Sequence, residues 1–283
     1  MTRVLIAGCG YLGQALGLRL IQEGHEVCGL RRKSEKLPSN FLQIRADLTL
    51  PETLVNLPWP IDVVYYMVGA DHRNEEAYHA AYVQGLVNLV RALENQNPAV
   101  RRWIFTSSTA VYHQSCGEWV DENSTVAPNH FSGRCLRKGE NFLLSNVTEA
   151  IVVRLGGIYG PGRHRLIDHV RTSEIQKIEG PSRYLNHVHR DDCVGVLVHL
   201  LSLNNPQALY LVVDNEPVDK NQLLDWIAGQ LGADLPSKLK TTSQIMQQSN
   251  KRCRNTLIVN SGYSFRYPSF REGYAPLLFK ELQ

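Results

Sequence analysis

The chain opens on Val4-Leu5-Ile6-Ala7, a continuous apolar run that predicts a strand buried on both faces. Leu12, Leu16 and Leu20 then recur at helical spacing, and Gly24 marks the end of that helix. Further runs predict strands at Glu26–Leu30, Asp62–Val68, Trp103–Thr106 and Ile151–Leu155. Tyr78, Tyr82, Leu86, Leu89 and Leu93 place one apolar face on a long helix that stops before Pro98. After about Gly160 the pattern loosens, with a helix near Asp192–Leu203, a strand at Ala208–Val213 and a helix opening at Asp219, which forms a capping box with Gln222. Unbroken apolar strands separated by amphipathic helices mean an α/β fold, a doubly wound parallel sheet covered on both faces. No repeat, low-complexity stretch or linker divides the chain. Residues 1–283 therefore read as a single domain, with a small C-terminal substrate lobe drawn mainly from about residues 162–283 and interleaved with the sheet.

Gly8-Cys9-Gly10-Tyr11-Leu12-Gly13 is G-x-G-x-x-G, placed between a predicted strand and a predicted helix. In that context Gly8 permits a tight turn, Gly10 lets backbone approach a pyrophosphate, and Gly13 allows close packing of helix on sheet. The helix beginning at Tyr11 and Leu12 would offer free N–H groups to phosphates. This is the signature of a Rossmann dinucleotide fold; a glycine turn without a ligand is the plainer alternative.

The end of the second strand bears on which dinucleotide. NAD sites usually carry an acid there to bind the ribose hydroxyls. This chain has Arg31-Arg32-Lys33 instead. A guanidinium can grip a 2′-phosphate bidentately, whereas a carboxylate would repel it. The expected cofactor is therefore NADP rather than NAD, with Arg31 the main contact and Arg32 the second. The competing reading is a solvated basic loop.

Composition narrows the rest. A net charge of +3, with basic residues gathered only at Arg31–Lys33 and Lys251–Arg254, gives no concentrated face for nucleic acid. The six cysteines form no C-x-x-C pair and no zinc-finger spacing with histidine, which reads as reduced thiols, no metal site and a cytoplasmic setting. No signal peptide is evident, and no apolar stretch is long enough to cross a bilayer. His187 and His189 alternate on an extended segment without making a metal site. Arg163, His164 and Arg165 read as a solvated loop, and Tyr112 as a packing tyrosine.

Several runs together resemble the extended short-chain dehydrogenase/reductase superfamily, in its nucleotide-sugar epimerase/dehydratase branch. Beyond the glycine loop, these are Ala46-Asp47-Leu48, Met67-Val68-Gly69-Ala70, Thr106-Ser107-Ser108-Thr109-Ala110-Val111-Tyr112, Arg154 to Arg163 with Gly157-Ile158 at its centre, and Asn186 to Asp192. The resemblance covers nearly the whole chain. It implies that Asp47 and Leu48 contact adenine, that Val68 and Gly69 lie along the cofactor, and that Gly157 and Ile158 sit beside the nicotinamide. It implies a small-molecule substrate of nucleotide-sugar type and a monomer or a homodimer, the latter formed through the Glu75–Glu94 helix.

The departures from the family pattern matter as much. The family pairs a Ser or Thr with a Tyr and, four residues later, a Lys that lowers the Tyr pKa for general acid–base work. Aligning Glu140 with the family's glutamate puts Ser132 at the Tyr position and Leu136 at the Lys position. The supporting Asn is replaced by Tyr82, and only Ser108 survives of the catalytic set. Ser108 follows a buried strand, where ligands bind in open α/β sheets; its plainer role is to satisfy local backbone groups. The chain looks most like the atypical members of unassigned activity, and Lys251-Arg252-Cys253-Arg254-Asn255 with the run from Gly262 to Gly273 resembles their C-terminal segment. Two functions follow as expectations. One is an NADP(H)-dependent oxidoreductase or epimerase with altered acid/base residues. The other is a non-catalytic protein that senses NADP(H).

Overall fold

A computed structural model describes residues 1–32, 37–58, 60–96, 100–240 and 249–278; Lys33 and Pro98 lie outside the described residues. In chain order the elements are β1 (Arg3–Ala7), α1 (Tyr11–Gln22), β2 (Glu26–Arg31), β3 (Leu42–Arg45), β4 (Val63–Tyr66), α2 (Glu75–His79), α3 (Gly85–Gln96), β5 (Arg102–Ser108), β6 (Glu118–Val120), α4 (Phe131–Asn146), β7 (Ala150–Leu155), β8 (Gly157–Tyr159), α5 (Arg165–Arg171), β9 (Lys177–Ile178), β10 (Tyr184–Leu185), β11 (His187–His189), α6 (Arg190–Ser202), β12 (Leu209–Val212), β13 (Val218–Asp219), α7 (Lys220–Leu231), β14 (Lys238–Leu239) and β15 (Lys251–Cys253). Two short helices, Thr256–Asn260 and Phe270–Leu278, follow. Two compact units divide the chain. The first holds residues 1–111, 127–154 and 194–210, the second residues 112–126, 155–193 and those from 211 onward.

The first unit is built on a seven-stranded sheet in the order β12-β7-β5-β4-β1-β2-β3. The pairs β1–β2, β1–β4, β2–β3 and β4–β5 are all parallel. The unbroken apolar runs explain its interior: Val4, Leu5, Ile6, Tyr65, Ile104, Phe105, Val152 and Val153 are all fully buried. Strand order reverses at β1, with β2 on one side and β4 on the other, which opens a crevice beyond their carboxyl ends. The helix read from Tyr78 to Leu93 is not continuous. Between α2 and α3, Ala80–Gln84 is a π-turn in which the Gly85 N–H reaches back five residues to the Ala80 carbonyl.

A buried carboxylate ties α4 to the sheet. Glu140 is wholly buried; it accepts from Ser107 Oγ at 2.6 Å, from Arg154 Nε at 3.0 Å and from Arg154 Nη2 at 2.7 Å. Arg137 Nη1 adds a fourth contact at 3.1 Å. One side chain thus joins β5, α4 and β7. The glycines of α4 make the same seat close: a Cβ on Gly139 would lie 2.3 Å from the Tyr82 carbonyl oxygen, and one on Gly133 2.5 Å from the Ala110 carbonyl oxygen.

The second unit has its own core, in which Tyr159, Ile167, Val170, Leu223, Leu224, Ile227, Phe270 and Tyr274 pack together. Its strands come in short pairs: β8 with β11 and β6 with β15, both parallel, and β10 with β13, antiparallel. Asp219 caps α7, its carboxylate accepting from the Asn221 and Gln222 amides, and Gly232 ends that helix in the left-handed region at φ 62°. Asp192, fully buried, accepts from the Tyr263 hydroxyl and from the Arg266 and Tyr267 amides, which fastens the segment before the last helix. Tyr159 stacks on Tyr274 at 4.2 Å, with His187 against both rings; burial pushes His187 down to about 4, so it is neutral at pH 7. None of the six cysteines is in a disulfide, and no described helix is long and apolar enough to cross a membrane.

Removing one partner of the Glu140–Arg154 pair leaves a charge buried without its main partner. Arg154→Met should therefore destabilise the protein by about 3–5 kcal/mol. Glu140→Met combined with Arg154→Met should recover much of that loss. Urea denaturation followed by circular dichroism measures both; a single variant within about 1 kcal/mol of wild type would contradict this role for the pair.

Candidate dinucleotide site

A cavity of about 320 Å³ lies at the reversal of strand order in the first unit. Four strand ends supply its walls: Gly8, Cys9 and Gly10 after β1, Leu30 to Arg32 at the end of β2, Ala46 to Thr49 after β3, and Val68, Gly69 and Asp71 after β4. Ala77, Ala80 and Ala81 close the remaining side.

The glycine loop is shaped by what stands around it. Gly8 has φ +84°, and a Cβ there would meet the Met67 carbonyl oxygen at 2.7 Å, so the ends of β1 and β4 approach closely only because residue 8 has no side chain. The amides of Gly8 and Cys9 both donate to the Leu30 carbonyl, at 3.1 and 3.2 Å, which ties the loop to β2. At Gly10 the surroundings are open, the nearest atom to a Cβ being the Gly8 carbonyl oxygen at 4.0 Å. Gly10 is also the N-cap of α1 and provides no capping side chain, so no side chain competes for the first-turn amides at Tyr11 and Leu12. Gly13 sits against Ile6, its would-be Cβ 3.0 Å from Cγ2 of that residue.

Of the residues singled out by sequence, Gly8, Gly10, Arg31, Arg32, Asp47, Leu48, Val68 and Gly69 converge on this one cavity. Tyr11, Leu12 and Gly13 stand behind it in the first turn of α1. Gly157 and Ile158 lie on β8, in the second unit. Asp47 makes a local turn, its Oδ1 accepting from the Thr49 amide at 2.9 Å and the Thr49 hydroxyl at 2.7 Å. Arg32 is paired with Asp71, which raises its already high pKa, and both remain about half exposed at the cavity wall.

Asp71 and the three alanines escaped the sequence reading. Asp71 sits 39 residues from its partner, and only the fold brings the two together. The alanines reach the wall through the π-turn. Its carbonyls are engaged from outside the helix: the Tyr66 hydroxyl donates to Ala81, and the carbonyl of Tyr82 lies against Gly139. No local pattern signals that irregularity, and the contacts that accompany it come from the neighbouring strand and helix.

The structure also places Ser108, Ser132, Leu136, Tyr82 and Tyr112. Ser108 ends β5, and its Oγ accepts from the Ala110 amide at 3.2 Å, a local backbone role. Ser132 opens α4 with its hydroxyl 2.8 Å from His130 Nδ1. Leu136 is 3% exposed, an apolar core residue on the same helix. Tyr82 packs on Tyr78, Phe105 and, through Tyr78, the Phe131 ring; burial raises its pKa, and the Ala70 amide opposes that shift. Tyr112 is buried and donates to the Asp121 carbonyl at 2.7 Å.

A glycine loop after β1, a crevice at the strand reversal and basic residues at the end of β2 define a dinucleotide-type α/β fold. The model of the NAD dependent epimerase/dehydratase family matches residues 4–208, and the chain belongs to that family. Protein YeeZ of Escherichia coli (strain K12) is 26% identical over 279 residues, spanning 95% of this chain and 97% of that one. The structure of a putative NAD-dependent epimerase/dehydratase from Methylobacillus flagellatus superposes with a TM-score of 0.81 at 33% identity, covering 100% of this chain and 99% of the other. Human epimerase family protein SDR39U1, solved with NADPH, superposes at 0.79 with 18% identity, covering 98% and 99% of the two chains.

The two glycines of the loop should respond oppositely to one methyl group. Gly8→Ala meets backbone at 2.7 Å in a left-handed conformation and should lose more than about 1 kcal/mol of stability. Gly10→Ala meets nothing within that range; it should melt near wild type yet lose dinucleotide binding. Thermal melts paired with titration calorimetry separate the two effects, and a Gly8→Ala protein of unchanged stability would refute the first.

Proposed function

We propose that the chain binds NADP(H) in preference to NAD(H) and is an oxidoreductase or epimerase with altered acid/base residues. The observation that carries the cofactor half of this reading is the convergence of Arg31 and Arg32 on the cavity that Gly8, Gly10 and Asp47 also line. The cavity fits a dinucleotide: Gly10 and Gly69 leave open space where a side chain would intrude, and the α1 N-terminus stands behind them. Arg31 and Arg32 would hold a 2′-phosphate, Gly10 would admit the pyrophosphate, and Asp47 with Leu48 would meet the adenine. When bound, the cofactor supplies hydride transfer, and the protein supplies its orientation. The NADPH in the human structure of the same fold supports this reading without deciding it.

The catalytic half rests on α4. The helix positions that would carry the proton-transfer pair hold a hydroxyl engaged with His130 and a core leucine. Proton transfer must then come from Ser108, from a water it holds, or from a group elsewhere in the chain. The buried Leu136 equally favours a second reading, a protein that binds NADP(H) and reports its redox state without turnover.

Calorimetry should show NADP bound more tightly than NAD. Arg31→Ala should weaken NADP by about 1–3 kcal/mol and leave NAD nearly unchanged. Equal wild-type affinities would remove the cofactor assignment.

A positioned general acid–base pair contributes roughly 10²–10⁴-fold in rate. Turnover on UDP- and dTDP-sugars should accordingly be negligible, and Ser132→Tyr with Leu136→Lys should not restore it, because the second change puts an ammonium into the core. Absorbance of the reduced cofactor and chromatographic separation of epimers provide the assay. Robust wild-type turnover would show that another residue supplies the proton; binding without turnover on any reducible substrate would favour the sensor.

A further inference from the structure

Strand β15 carries a residue that its position does not explain. Its burial alternates, with Lys251 and Cys253 turned inward and Arg252 outward. The inward face of a short strand normally holds apolar groups, and here it holds an ammonium in a residue only 7% exposed. Among the described residues Lys251 Nζ has one hydrogen bond, to Ser249 Oγ at 2.8 Å, and no carboxylate within ion-pair distance. Burial lowers its pKa, with no opposing acid but the Cys253 thiol. A buried cation without a counter-charge is costly to the folded state, and such groups gather at ligand sites.

The surroundings hold the amine in place and leave further polar groups unmet. Asn186 donates to the Lys251 carbonyl at 2.9 Å and accepts from the Cys253 amide at 2.7 Å, while its own carbonyl accepts from Gly157 at 2.7 Å. The strand is thus clamped to the start of β8. Ser249 Oγ lies 3.3 Å from the Gln114 carbonyl and 3.4 Å from that of Tyr112. On that same segment His113 Nδ1 and Gln114 Oε1 are buried without a partner. The outward face adds positive charge, with Arg252 held between Trp119 and Tyr184 at 4.9 and 4.8 Å from their ring centres.

We propose that Lys251 is a ligand-binding lysine whose ammonium is completed by an anionic oxygen, carboxylate or phosphate, of a small molecule bound by the second unit. Among the described residues the single serine contact leaves two of the three ammonium donors for the ligand. The neighbouring His113 and Gln114 would then select a molecule bearing hydroxyl groups beside its acid. This inference does not rest on the cofactor assignment, since every residue it uses lies in the second unit.

The test uses the full-length protein with malonate and inorganic phosphate as separate probes, read by thermal melts and by calorimetry. One or both should raise the wild-type melting temperature in a saturable way; which one does so distinguishes a carboxylate from a phosphate ligand. Lys251→Met should melt above wild type without anion, because a buried charge has been removed, and its anion affinity should fall at least about tenfold, beyond the loss of one charge-assisted hydrogen bond. Lys251→Arg should keep the response. Arg31→Ala should keep it too, which separates this site from the cofactor cavity. The proposal is overturned if neither anion stabilises wild type, or if Lys251→Met responds as wild type does. A Lys251→Met protein that fails to fold, or melts lower, while Lys251→Arg loses the response would make the lysine a structural residue and overturn it as well.

Discussion

The carboxylate of Glu140 is the contact on which the first unit's geometry turns. Buried among Ser107, Arg137 and Arg154, it sets the depth and rotation of α4 against β5 and β7. Its chain neighbour Gly139 then lets the backbone of Tyr82 come within a distance no side chain would allow. That approach, with the Tyr66 hydroxyl on the Ala81 carbonyl, accompanies the π-turn, and the π-turn presents Ala80 and Ala81 to the cavity. A pair of charges outside the cavity lining is thus linked to the wall of the candidate site. Buried ion pairs of this kind are weak evidence for net stability, and the role that fits this one is registration: the contacts from Ser107 and Arg154 tie α4 to β5 and β7.

The same helix carries the two residues on which the catalytic reading turns, Ser132 and Leu136. The glycine loop and the strand ends keep the dinucleotide-type scaffold, while α4 carries Ser132, hydrogen-bonded to the capping His130, and Leu136 in the core. Fold and function separate at this point. A protein can keep the architecture that holds a dinucleotide and replace what uses it, because the two depend on different side chains. The glycine at 8 answers to the Met67 carbonyl, whereas Leu136 answers only to the packing beneath it.

Much of this could be read from sequence because its causes are local. The apolar runs of β1, β4 and β5 need no partner to be recognised, and the G-x-G-x-x-G loop announces both the turn and the strand before it. Strand β3 was missed because Leu42, Gln43 and Arg45 are exposed at the sheet edge and carry no apolar run. The π-turn was missed because the apolar face of Tyr78 to Leu93 continues through it, while the contacts that accompany it come from Tyr66 and Gly139. The pairing of Arg32 with Asp71 joins residues that no spacing rule connects. Lys251 was visible as part of a basic run, but sequence cannot show that this lysine alone is turned inward.

The pairing of β15 with β6 sets an order of events on the ribosome. Glu118–Val120 emerges first, and its parallel partner Lys251–Cys253 is more than a hundred residues further along the chain. The second unit draws on three separated stretches of chain, so its core cannot close until the last of them has appeared. The seven-stranded sheet is complete once β12, ending at Val212, has been made. Contacts between remote segments close slowly, because the intervening loop must be ordered before they form. During synthesis the residues of β6 therefore wait with an unpaired edge, exposed to wrong partners until the final stretch arrives.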